Sequence, residues 1–131
     1  MTTNGTRAKH NKNIILIADD SPTICRLVTT TLERQNYQVV AVNNGLEALA
    51  KLNEIRPNLL LVDIVMPHLD GYQLCKIVRA NQETKHIPVV MLSGKDGFLD
   101  KMKGRMAGAT AYITKPFNSE ALLQSVAKHI R

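Results

Sequence analysis

Aromatic residues are scarce in this 131-residue chain: it has no tryptophan, two phenylalanines and three tyrosines. No aromatic ribonucleoprotein motif can be built from them, and neither a helix-turn-helix nor a zinc-ligand spacing is present. Basic residues outnumber acidic ones by 17 to 11, for a net charge of +6, which raises the question of nucleic acid. Arg7, Lys9 and Lys12 lie near the N-terminus, and most of the other basic residues are scattered over helical patterns. Only Lys95 to Arg105 forms a local cluster, and Asp96 and Asp100 interrupt it. Solvated helix faces and acidic protein partners are therefore expected, and direct binding of nucleic acid is not.

Cysteine is equally sparse. Cys25 and Cys75 fall within helical patterns without metal spacing and read as buried thiols of a cytoplasmic protein. His10, His68, His86 and His129 lie on different elements, which excludes a transition-metal site. No apolar run approaches the roughly 20 residues of a membrane helix, so no membrane insertion is expected. Residues 1–12 are polar and basic, which reads as a disordered arm and not as a secretory signal. Walker loops, glycine-rich dinucleotide fingerprints, low-complexity segments and linkers are all missing. One domain over residues 13–131 remains, long enough to bury about 70% of its unfolded surface.

What is present centres on residues 58–71. Leu59 to Val62 run apolar without alternation, as in a strand of a parallel sheet buried on both faces, and stop at Asp63. Pro67 and Asp70-Gly71 then turn the chain. The same βα pattern recurs along the sequence. Ile14 to Ala18 ends in Asp19-Asp20, and Ser21-Pro22 starts a helix reaching about Gln35. Gln38 to Val42 is a short strand, and Asn44 with Glu47 resembles a capping box for a helix running to Arg56-Pro57. Asp70 with Gln73 caps a third helix with Leu74, Ile77 and Val78 inside. Ile87 to Leu92 is a strand ending at Ser93-Gly94. Phe98, Leu99, Met102 and Met106 suggest a fourth helix, weakened by Gly97 and Gly104, and the methionines fit core or helix-face packing. Thr110 to Thr114 leads to Lys115-Pro116-Phe117, and Asn118 caps a last helix with Leu122, Val126 and Ile130 inside.

Five strands each followed by a helix fit an α/β, flavodoxin-like (βα)5 doubly wound parallel sheet in the order 2-1-3-4-5. Asp19, Asp20, Asp63, Ser93 and Lys115 then converge on one sheet edge, where open α/β sheets bind ligands. Three carboxylates together repel, by about 4 kcal/mol per pair at ~4 Å and an effective dielectric of about 20. Hard oxygen ligands at an open edge favour Mg²⁺. A lysine and a hydroxyl opposite suit a phosphoryl group, with Asp63 as nucleophile.

At these residues the chain resembles the receiver domains of two-component response regulators. The resemblance covers residues 13–131 and rests on Ile-Ala-Asp-Asp-Ser, Leu-Val-Asp-Ile-Val-Met-Pro-His-Leu-Asp-Gly, Val-Met-Leu-Ser-Gly and Tyr-Ile-Thr-Lys-Pro-Phe, in order. That family supplies an example of the flavodoxin-like strand order, so the order adds no independent support. The resemblance implies that Asp63 is the phosphoacceptor, with Ser93 and Lys115 bonding phosphoryl oxygens. Asp20 would bind Mg²⁺ directly and Asp19 mainly through water, together with Asp63 and the Val65 carbonyl. Tyr112 takes the aromatic switch position alongside Ser93, and the Lys115–Pro116 bond is expected to be cis.

The family further implies a sensor histidine kinase or phosphotransfer protein upstream and a downstream protein target met through the helix 4–strand 5–helix 5 face. Such a protein is no enzyme beyond catalysing its own phosphorylation and dephosphorylation. It would be a monomer or weak dimer, here with no attached output domain. Residues 91–105 look most like stand-alone receivers of chemotaxis-like systems controlling type IV pilus motility. Val65 is apolar where some relatives carry a polar residue assisting water, which predicts slow hydrolysis, and Lys95 lies near the same opening. The rival readings are an aspartyl-phosphate phosphohydrolase, which normally carries an acid where Val65 stands, and a receiver-like module that binds partners without phosphorylation.

Overall fold

Each apolar run of the sequence becomes a strand, and each cap residue starts a helix. The structure, a computed structural model, describes residues 13–94 and 97–131. The order is β1 (Ile14–Ala18), α1 (Pro22–Glu33), β2 (Gln38–Val42), α2 (Gly45–Ile55), β3 (Leu59–Asp63), α3 (Gly71–Ala80), β4 (Val89–Ser93), α4 (Phe98–Ala107), β5 (Ala111–Thr114) and α5 (Ser119–His129). The expected arm, residues 1–12, and the expected role of Lys95 lie outside the described residues. No helix among the described residues is long and apolar enough to cross a membrane.

The sheet is parallel throughout, in the expected order β2-β1-β3-β4-β5. β3 is buried at every position because both faces of the sheet are covered. Leu16, Leu60, Val62, Val89 and Met91 pack with residues of α2 and α3 on one face. Ile17, Leu61, Val90 and Leu92 pack with Val28 and Leu32 of α1 and Leu122 and Val126 of α5 on the other.

Local signals explain the helix starts. Ser21 Oγ accepts from the Ile24 amide (3.2 Å) behind Pro22, and Asn118 Oδ1 accepts from Ala121 (2.8 Å). Asp70 and Gln73 form the reciprocal capping box, with bonds of 2.8 and 2.9 Å. The second expected box is only half made. Asn44 accepts from Glu47, but the Glu47 carboxylate receives the amide of Asn43. α1 stops at Glu33, short of Gln35, and β4 starts at Val89, just after Pro88.

Three packing expectations are corrected. α4 forms where its periodicity predicts, yet Phe98, Leu99 and Met106 are 75%, 71% and 81% exposed, and Met102 is also exposed. The side of α4 that meets the fold is its small one, with Gly104 and Ala107 buried. A Cβ on Gly104 would stand 3.0 Å from Met91 Sδ and 3.6 Å from the Tyr112 ring, so the helix approaches too closely for a large inner residue. Ile77 is exposed, and Cys75 takes the inner position beside Leu74 and Val78. Cys25 is half-buried where a buried thiol is expected.

The far end of α4 is fastened by Arg79. Its guanidinium donates to the carbonyls of Gly108 (2.8 Å), Lys85 (3.0 Å) and Ile87 (2.6 Å) and to Thr110 Oγ1 (3.2 Å). Gly108 has φ of 103°, and a side chain there would meet Arg79 Cγ, so glycine is required twice over.

Candidate functional site

Parallel strands that end in polar residues deliver those residues to one edge. β1 runs into Asp19, whose amide still pairs with Val42 of β2 (3.2 Å). The Ser21 amide donates to Asp19 Oδ1 at 2.9 Å, which aims the carboxylate inward before α1 begins. Asp19 is fully buried, whereas Asp20 beside it is exposed. β3 brings Asp63 to the same edge, 6% exposed. One oxygen from each of Asp19, Asp20 and Asp63 can be chosen so that all lie within 4.8 Å of one another.

Lys115 follows β5, and its amide donates to the Ser93 carbonyl at 2.7 Å, which seats it beside the end of β4. Its Nζ stands 2.8 Å from Asp19 Oδ2 and 3.3 Å from Asp63 Oδ1. Ser93, the last residue of β4, is buried one step beyond Leu92, the register partner of Asp63. The Lys115–Pro116 bond is cis, as expected.

The electrostatics follow from burial. Asp63 is pushed up to about 6, first by desolvation and then by the negative charge of Asp19. Lys115 and the Val65 amide pull it back only in part. Burial works against the Lys115 ammonium, but the hydrogen bond and charge of Asp19, reinforced by Asp63, hold its pKa above the ordinary lysine value. Among the described residues, three carboxylates thus face one ammonium, and that cluster is short of positive charge. An all-oxygen donor set with two buried members and one exposed fits a hard divalent cation that keeps part of its water shell.

Val65 lies two residues beyond Asp63 and is 59% exposed, and its backbone amide lowers the Asp63 pKa. Tyr112 is not part of the acidic cluster. It is a half-buried residue of β5 packed against Gly104 of α4. Cys25, expected only as a buried thiol, donates through its thiol to the Asp19 carbonyl at 3.3 Å and shares a 270 Å³ depression with Asp19, Asp20 and Glu47. Burial and the Asp19 charge raise its pKa. Its position one turn into a helix that starts behind two acids was the available signal.

Comparison with known proteins gives a consistent answer. The family model described as the response regulator receiver domain matches residues 15–127. Protein PilG of Pseudomonas aeruginosa is 45% identical over 116 residues, covering 88% of this chain and 86% of that one. Protein PilH of the same organism is 40% identical over 112 residues, covering 86% and 93%. Among solved structures, the chemotaxis response regulator CheY4 of Vibrio cholerae superposes with a TM-score of 0.88 at 33% identity, covering 92% of this chain and all of that one. The receiver domain of a Pseudomonas aeruginosa sensor histidine kinase, with a magnesium ion coordinated in its active-site cleft, gives 0.83 at 25% identity, covering 90% and 97%.

Proposed function

This chain belongs to the response regulator receiver domain family, and on that premise we propose that Asp63 accepts a phosphoryl group from the phosphohistidine of a sensor histidine kinase or phosphotransfer protein. The observation that carries the reading is the Asp63 carboxylate 3.3 Å from the Lys115 ammonium and clustered with the two acids that follow β1. An Asp63 oxygen forms the new O–P bond as the P–N bond to the donor imidazole breaks, and the imidazole keeps the electron pair and takes up a proton. Lys115 and the Ser93 hydroxyl each meet one phosphoryl oxygen, which orients the group and offsets its charge.

Asp19, Asp20, Asp63 and the Val65 carbonyl are the groups that would hold Mg²⁺, whose charge, when bound, neutralises both the acids and the phosphoryl oxygens. The all-oxygen cluster and the magnesium-bound relative support this assignment.

The output lies on the α4–β5–α5 face. Ser93 drawn toward the phosphate lets Tyr112 pack inward and shifts α4, a population shift between two arrangements. Exposed Phe98, Leu99, Met102 and Met106 give α4 an apolar contact surface. A 540 Å³ groove between β5 and α5, lined by Tyr112, Phe117, Gln124 and Lys128 among others, continues it. Lys101, Arg105 and Lys128 suit an acidic partner. Similarity to PilG, PilH and a chemotaxis regulator supports a cytoplasmic role in motility, through the type IV pilus or taxis.

The test is transfer of labelled phosphate from a phosphorylated kinase with Mg²⁺. Asp63→Asn should remove the label and keep the wild-type circular dichroism. Label persisting at another residue, located by mass spectrometry, would overturn the assignment. Sustained turnover of small phosphate esters would point to a phosphohydrolase instead.

A further inference from the structure

Two tyrosines contact α4, and each ring carries a lysine of that helix. Tyr112 of β5 lies under Gly104, with Lys101 Nζ 5.9 Å from its ring centroid. Tyr72, the second residue of α3, makes a second such contact, at Asp100 and Lys103. Its hydroxyl donates to the Asp100 carbonyl at 3.2 Å, and Lys103 Nζ lies 4.8 Å from its ring centroid.

The end of β3 fixes where Tyr72 stands. The Gly71 amide donates to the Ile64 carbonyl at 2.9 Å. A Cβ on Gly71 would stand 2.8 Å from both the Asp63 carbonyl oxygen and Ile64 Cα, so α3 begins pressed directly on the end of β3. The Val65 amide of the intervening loop also acts on the Asp63 carboxylate, lowering its pKa. Val65 and Met66 of that loop then share a 330 Å³ cleft with Tyr72, Asp100 and Lys103. Packing therefore connects the backbone of Asp63 and Ile64 through Gly71 to the neighbouring Tyr72, and Tyr72 to the first turn of α4.

The first turn of α4 is also where the helix is held least by its own residues. Its N-cap is Gly97, which makes no side-chain capping bond, whereas Arg79 fastens the opposite end through Gly108. We propose that Tyr72 is a positioning residue that holds the N-terminal half of α4 in the arrangement seen here and so opposes phosphorylation at Asp63. The inference rests on the assignment of Asp63 as phosphoacceptor. Linkage gives it a measurable sign: if Tyr72 favours the unmodified arrangement, releasing it must tighten binding of a phosphoryl mimic at Asp63 by the same factor.

Tyr72→Phe keeps the ring and removes only the donor, and Lys103→Met keeps the aliphatic stem and removes the charge. Beryllofluoride binding with Mg²⁺ is measured by calorimetry, and amide hydrogen exchange is followed across residues 98–107. Tyr72→Phe is expected to raise beryllofluoride affinity roughly two- to tenfold, the range for one hydrogen bond. Exchange in α4 should rise by a comparable factor with β1 and β3 unchanged, a local signature that general destabilisation does not produce. Lys103→Met should act in the same direction. Unchanged or weaker binding in both variants, with the wild type binding normally, overturns the proposal. Absence of binding by the wild type, or equal binding by Asp63→Asn, defeats the Asp63 assignment and this inference with it.

Discussion

Lys115 Nζ lies 2.8 Å from Asp19 Oδ2, half an ångström closer than it lies to Asp63 Oδ1. The ammonium therefore serves first as counter-ion to the fully buried acid, and only second as partner of the proposed nucleophile. Lys115→Met removes that counter-ion and leaves Asp19 charged and buried. In EDTA the variant should lose about 3 kcal/mol, the lower end for breaking a buried pair, since Lys115 itself is partly exposed. Adding Mg²⁺ should restore part of the loss. Urea denaturation with and without the metal checks it, and an unchanged midpoint in EDTA would refute the counter-ion role.

Asp63 predicts an unusual pH dependence. Its native pKa of about 6 lies above the ordinary value of 3.8. Between these values the native state binds more protons than the unfolded chain, so stability falls as pH rises through that window. The full difference corresponds to about 3 kcal/mol lost by pH 7 in the absence of metal. Asp63→Asn should flatten this part of the profile and melt higher than the wild type in EDTA at pH 7. The Lys115 contribution, with its raised native pKa, is fully present below the unfolded lysine value and fades only as pH rises past it, outside this window. Thermal melts from pH 4 to 7 measure both proteins, and parallel profiles would contradict the prediction.

Val65 is an exposed apolar residue two positions beyond Asp63, where a polar side chain could hold a water near the proposed aspartyl phosphate. Val65→Asn should speed dephosphorylation on the order of tenfold, the effect of one added hydrogen bond of about 1.4 kcal/mol in the transition state. Decay of the labelled protein after donor removal gives the rate. Equal rates would show that Val65 is no brake.

The two sides of α4 should respond oppositely to substitution. Phe98→Ser and Met106→Ser change exposed residues and should alter stability by no more than about 0.5 kcal/mol. The same changes should weaken binding of the downstream partner by at least ~2 kcal/mol if these side chains anchor it. Gly104→Val fills the space against Met91 and Tyr112 and should cost about 1–3 kcal/mol. Calorimetric melts and partner titrations separate the two effects, and destabilisation by Phe98→Ser would contradict the exposed placement.

Much of this was readable in the chain. Apolar runs stopped by Asp19, Asp63, Ser93 and Lys115 mark strands and deliver their polar ends to one edge, because a parallel sheet aligns all carboxyl ends. Cap residues such as Asp70 and Asn118 act on amides three residues away, so helix starts could be read locally. Where the reading failed, local pattern was insufficient. Helical periodicity in α4 revealed an apolar stripe but not which way it faced. Gly104, flagged only as a weak helix former, turned the small side of the helix inward.

The residues of this chain therefore determined its elements, their order and the identity of the convergent groups, since these follow from hydrogen bonding and burial among near neighbours. Tertiary structure alone decided that Lys115 bonds Asp19, 96 positions away, and that Tyr72 reaches Asp100, 28 positions on. It also decided that burial and Asp19 push the pKa of Asp63 up to about 6. Charge, desolvation and reach depend on distances in space, and only the closed sheet with its packed helices sets those distances.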